Sequence, residues 1–258
     1  MSELIRLAAE LERKVREADE AHEVADRLWS AAEVLLDEIR AISSLLSELR
    51  FDIDGYVADN DYPAVERSAY EIRGVTDADR LLPVLRQAML LLALRDGSPL
   101  PQPDALDSLP EVAPTEASHP VLSLDELLRD SDQELKSTEE SLRRIWCGDD
   151  DASELEEHLH DAHIDAVRDR ATRAGRQLME LCGYISEELC PSLVGSTESG
   201  RTDDALLALA AIDLAGKEAP KAYKVYEAAL SEQYERSPSS LGSVGEQLTA
   251  FESWIHTI

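Results

Sequence analysis

Along residues 4–46, Leu4, Leu11, Ala18, Ala25, Ala32, Ile39 and Leu46 recur every seventh position. Ala8, Val15, His22, Trp29, Leu36 and Ser43 form the interleaved row. This alternating three- and four-residue spacing predicts one helix about 70 Å long, or two helices meeting at a soft break near Ala18–Asp26. No Pro or Gly precedes Gly55 to interrupt it. Alanines in the seam favour close approach of another helix. The flanking Leu7, Leu28, Leu35, Ile42 and Leu45 widen the stripe beyond what a two-stranded coiled coil uses, so a multi-helix bundle fits that face better.

The pattern then breaks at the turn-like FDIDGYVADNDYP, residues 51–63. A short helix is predicted from Pro63 to Gly74, and a second one capped by Thr76 or Asp77, in which Pro83 stands near enough to the start to be tolerated. Residues 97–120 hold six prolines and no base, and read as a linker or an extended strap. Ser123 and Glu126 then make an S-x-x-E capping box, and Gly148 supplies the stop. The stretch from Asp149 towards Pro191 reads as one helix with a buried stripe at Ile164, Val167, Ala171, Ala174, Leu178, Leu181 and Ile185. Three more helices are predicted over Thr202–Ala215, Pro220–Arg236 and Leu241–Ile255. Few strand-like alternations occur. The expected fold is all-α, a multi-helix bundle with a long N-terminal helix, in two helical parts (1–96 and 121–258) joined by the Pro-rich segment 97–120.

Composition narrows the function. The 258 residues carry 54 acids against 25 bases, a formal net charge of −29, and only five of the bases are lysines. Such a chain is repelled from phosphate backbones and anionic membrane surfaces, so direct nucleic-acid binding and membrane binding are not expected. The bias towards arginine and acid fits a high-GC genome and a salt-rich cytoplasm. Cys147, Cys182 and Cys190 are odd in number and lack C-x-x-C spacing. On one helix Cys182 and Cys190 lie about 12 Å apart along the axis, too far to bridge. Free thiols, a charged N-terminus and apolar runs too short to cross a bilayer together point to the cytoplasm.

The stretch DDDASELEEHLHDAHIDAVRDRATRAGRQ, residues 149–177, holds three of the six histidines among acids before turning to arginine. Glu157 and His160 form an E-x-x-H pair, the arrangement that carboxylate-bridged di-metal bundles take from a core helix. Asp19 with His22 is the candidate second pair, and His22 stands in the seam. These four residues define the alternative reading, a metal-binding helical bundle with oxidative or hydrolytic activity and a divalent metal as cofactor. In a chain this acidic, however, an acid three residues before a histidine arises by chance. The acids at the start of the stretch are also explained by the helix dipole, and Arg168, Arg170, Arg173 and Arg176 by salt bridges to acidic helices.

No Gly-rich phosphate loop, G-x-S-x-G, H-E-x-x-H or C-x-x-C motif is present. Nothing in the sequence implies a small-molecule ligand, a catalytic residue or a cofactor. The primary expectation is therefore a non-catalytic helical interaction or assembly protein, a subunit or adaptor that binds a protein partner or its own copies. Leu4, Leu11, Trp29, Trp254 and Ile255 are its candidate contact residues, the last two because FESWIHTI leaves an apolar C-terminus in need of cover.

Overall fold

The computed structural model describes residues 2–100, 109–110, 124–145 and 152–236. Among them the chain is all-α, a multi-helix bundle without strands: α1 (Ser2–Ala58), α2 (Tyr62–Val75), α3 (Ala78–Asp96), α4 (Leu124–Ile145), α5 (Ala152–Tyr184), α6 (Cys190–Glu198) and α7 (Thr202–Arg236). A single π-helical turn, Ile185–Leu189, joins α5 to α6.

The long seam forms one unbroken helix, without the soft break at Ala18–Asp26. It also runs further than the turn-like composition of residues 51–63 suggests: Gly55 is helical, and the reversal is confined to Asp59–Asp61, where Asn60 takes a positive φ of 55°. Asp61 accepts a hydrogen bond from the Ala64 N–H (3.1 Å), satisfying one of the orphan donors at the start of α2.

Two compact units are each assembled from three separated segments. One comprises Met1–Leu49, Glu71–His119 and Cys182–Lys217; the other comprises Arg50–Tyr70, Pro120–Leu181 and Glu218–Ile258. The units therefore do not follow the partition at 97–120, since α1, α2, α5 and α7 each contribute residues to both. Most of 97–120, the Ser123 capping box, Gly148 and the helix expected over Leu241–Ile255 lie outside the described residues.

In the first unit the core is built from Leu36, Ile39, Leu46, Leu85, Ile185, Leu193 and Leu209, all at most 1 % exposed. Asp213 of α7 organises one edge of it. Asp77 precedes α3 but makes no capping bond with its side chain; the Ala78 N–H donates to Asp213 instead (3.3 Å). Arg73 donates to the same carboxylate (2.9 Å), and Lys217 pairs with its other oxygen. Thr76, the other expected cap, turns back to the Ile72 carbonyl (2.7 Å) and stays in α2. It sits so close to Gly216 that a Cβ there would come within 2.7 Å of the Thr76 Cβ. Glycine at 216 is thus what allows α7 to approach.

In the second unit the predicted stripe on α5 is enclosed at Val167, Ala171, Ala174, Leu178 and Leu181. Gly175 lets Val57 come close, for a Cβ would meet its Cγ2 at 2.6 Å. Tyr226 is 1 % exposed and packs against Tyr62 with ring centroids 6.1 Å apart. Burial pushes the Tyr226 and Tyr223 phenols up to about 12.

Two prolines expected at helix bounds do not interrupt the helical path. Residues 202–236 form one helix that passes through Pro220. At Pro191 the chain switches to i→i−5 bonding just before the ring: the Cys190 N–H donates to the Ile185 carbonyl. The next such bond would need an N–H on residue 191, which proline lacks, leaving the Ser186 carbonyl without its helical donor. Ser43 Oγ of α1 donates to that oxygen at 2.7 Å. A hydroxyl in the middle of an apolar seam therefore has a defined task.

Candidate interaction surface

The N-terminal stretch of α1 is the largest departure from the burial that the seam implies. Its helicity follows from an uninterrupted run of helix-compatible residues, supported by ion pairs one turn apart: Lys14 with Glu10 (4.0 Å), Arg13 with Glu17 (3.2 Å), His22 with Asp26 (3.7 Å) and Arg27 with Glu23 (3.6 Å). The four pairs are all solvent-exposed, so each adds only a few tenths of a kcal/mol. Among the described residues no other element covers the seam here. Leu11 is 65 % exposed and Val15 53 %, and Ala18 and His22 are exposed with them.

Cover begins at Trp29. The Arg95 guanidinium of α3 lies over the indole, 4.7 Å from the ring centroid, and is itself held by Asp96 through two bonds of 2.6 and 2.8 Å. The Asp96 hydrogen bond raises the Arg95 pKa further above its ordinary value, so the cation over the ring is permanent. From Ala32 onward the same rows are enclosed at Leu36, Ile39 and Leu46. Of the candidate contact residues, Leu11 is thus open to solvent and Trp29 half-buried. The Leu4 side chain, Trp254 and Ile255 lie outside the described residues.

The histidine-rich stretch takes part in ion pairs between helices of the second unit. Glu157 and His160 are exposed on α5 in the second unit, while Asp19 and His22 belong to the first. Among the described residues no three His, Cys, Asp or Glu side chains are grouped so that they could hold a metal ion. His163 faces Glu232 of α7 at 2.8 Å. Arg170 reaches Asp132 of α4 (2.7 Å) and Glu232 (3.8 Å), and Arg173 reaches Glu134 (2.6 Å) and Asp169 (2.7 Å). Arg170 and Arg173 tie α5 to α4, Arg170 and His163 tie it to α7, and Arg168 pairs with Asp165 of its own helix (3.2 Å).

One cleft of about 470 Å³ opens in the first unit, lined by Arg40, Ser43, Ser44, Cys190, Val194 and Glu198 among others. Its charged groups are committed to each other: Arg40 bonds Asp37 (2.6 Å) and Glu198 (2.7 Å). Burial pushes the Cys190 thiol up to about 12, which keeps it protonated and non-nucleophilic. Ser43 is engaged with the Ser186 carbonyl.

Sequence reasoning missed Asp213, because one carboxylate among 54 has no signature until a helix start is placed beside it. Ser43 was visible as a polar interruption of the seam, and Pro191 as a helix breaker, but only their proximity explains either. No helix among the described residues is long and apolar enough to cross a membrane. Comparison with protein-family models, curated proteins and solved structures gave no match.

Proposed function

We propose that this chain is a non-catalytic helical interaction or assembly protein of the cytoplasm, a subunit or adaptor whose contact element is the N-terminal stretch of α1. One observation carries the reading: Leu11 and Val15 continue a seam that is enclosed from Ala32 onward, yet they remain 65 % and 53 % exposed. An isolated helix in water draws little stability from local propensity, and most helical stability in proteins comes from packing an apolar face. A second protein surface supplies that packing. The net charge of −29 supports a protein partner over nucleic acid.

A photoreactive amino acid at position 11, introduced in the cell that makes the protein, tests the reading. A discrete adduct with any polypeptide, lost when Val15→Glu is added, is the expected result. No adduct, or one indifferent to Val15→Glu, overturns it.

A further inference from the structure

Resting on that reading, we infer that the occupant of the open seam is a second copy of this chain, paired in parallel and in register along residues 4–25. The argument is one of charge placed beside the seam. With Ala8, Val15 and His22 at the a positions and Leu4, Leu11, Ala18 and Ala25 at the d positions, the flanking e positions are Ile5, Glu12, Asp19 and Asp26. The g positions are Leu7, Lys14, Ala21 and Leu28.

Two strands running antiparallel set e against e and g against g. Here that would confront Glu12, Asp19 and Asp26 with the same acids of the other copy. Parallel strands set each g against the e of the following heptad on the other helix, so Lys14 meets Asp19 twice, once on each side of the twofold axis. The remaining acids, Glu12 and Asp26, face Leu7 and Ala21, where no like charge opposes them. Lys14 reaches its own Glu10 only at 4.0 Å and is largely exposed, and Asp19 is exposed as well. Both are therefore available to the other copy.

Leu11 and Val15 of the a and d rows are exposed, with Val24 outside them, whereas downstream Ile42 and Leu49 are enclosed within the chain. Ala8, Ala18 and Ala25 allow two backbones to approach closely. From Ser2 to Arg27 the helix is about 40 Å long, enough for three heptads of paired seam.

Light scattering on the full chain at low and at molar salt, combined with cysteine cross-linking, tests the inference. The expected mass is twice the 28.5 kDa chain, falling to the single chain in Leu11→Glu/Val15→Glu, whose helical circular dichroism is retained because both positions are exposed. Lys14→Glu is expected to weaken the dimer about tenfold, through two lost attractions and two new repulsions, and Lys14→Glu/Asp19→Lys to restore it.

In a Cys147→Ser background, Val15→Cys and His22→Cys, tested singly, are both expected to form disulfide-linked dimers. They should do so about ten times faster than the outward-facing Glu20→Cys, because pairing raises the local thiol concentration. Antiparallel strands can bring only one of the two seam positions to its own counterpart, so cross-linking at one alone overturns the parallel register. A monomer at both salts without seam cross-links overturns the second copy altogether. In that case an adduct at position 11 with a different polypeptide would leave the interaction surface standing, which separates the two failures.

Discussion

Leu46 and Leu11 occupy the same heptad position of one continuous helix, yet Leu46 is wholly enclosed and Leu11 is 65 % exposed. His22 and Ser43 repeat the contrast in the other row. His22 points its imidazole into solvent beside Asp26, while Ser43 is used by the π-turn carbonyl of Ser186. Periodicity fixes which face of a helix is apolar, and only the neighbouring elements decide whether that face is covered. Around residues 32–49 those neighbours are identifiable: α3 through Arg95 at the near end, the π-turn through Ser186, and α6 through Glu198.

The sharpest way to break the comparison is to make the same truncation at both ends. Leu46→Ala should destabilise the fold by about 2–5 kcal/mol, because it removes a fully enclosed side chain and leaves a cavity. Leu11→Ala, measured in dilute solution where each chain stands alone, should change stability by no more than about 0.5 kcal/mol. Denaturant unfolding of both variants checks the pair. Equal losses would mean that the N-terminal seam is covered within the chain itself.

Next in size is Asp213, the carboxylate that links α7 to Arg73 and to the start of α3. Burial pushes its carboxyl up, but the hydrogen bond from Lys217, the Ala78 N–H and the charges of Lys217 and Arg73 outweigh that and hold it below the usual carboxylate range. A depressed pKa in the folded chain contributes stability that is present above the unfolded value of about 3.9 and is lost as the pH falls through the folded value. Asp213→Asn should therefore cost about 1.5–3 kcal/mol at neutral pH and flatten the loss of stability below about pH 4. Urea midpoints across that range read the slope. An unchanged slope would mean that the carboxylate is not ionised by these partners. Hydrogen exchange sharpens the contrast: amides of 32–49 should lose protection in this variant, while those of 10–24, on the exposed part of the helix, should not.

Ser43→Ala should cost about 1 kcal/mol by leaving the Ser186 carbonyl without a donor. Pro191→Ala supplies the missing N–H, so in that background the same substitution should cost clearly less; additive losses in the double-mutant cycle would show that Pro191 is not what orphans the carbonyl. His22→Ala, in the same heptad row, should be close to neutral for the fold.

These residues also show what the sequence makes legible. The bounds of α2 and α3, the enclosed stripe of α5 from Val167 to Leu181 and the phase of the seam follow from spacing alone, because each is set by residues close together along the chain. Continuity through Pro191 and Pro220 does not follow, because a proline is tolerated in a helix when the surrounding structure absorbs the lost bond, as Ser43 does from residues far away in sequence. The cap that Asp213 provides for α3 is hidden for the same reason. For the candidate site, the sequence marked Leu11 and Trp29 as contact residues, but it treated the rows as one surface. The division near Trp29 depends on where α3 ends and where Arg95 is thereby placed.

That division gives the smallest effect and the finest test. Arg95 over Trp29 stands just before the enclosed part of the seam, and a half-buried cation–π pair is worth about 0.5–1 kcal/mol. Arg95→Ala should reduce global stability by no more than that, while moving the onset of hydrogen-exchange protection in α1 from around Trp29 towards Leu36. Arg95→Lys keeps a cation above the ring and should restore most of the protection, although it cannot form the two-bond contact that Asp96 makes with the guanidinium. If neither variant shifts the boundary, burial of Leu36 and Ile39 alone sets where the covered half begins, and the open seam is defined by the end of the core and not by a clamp at its edge.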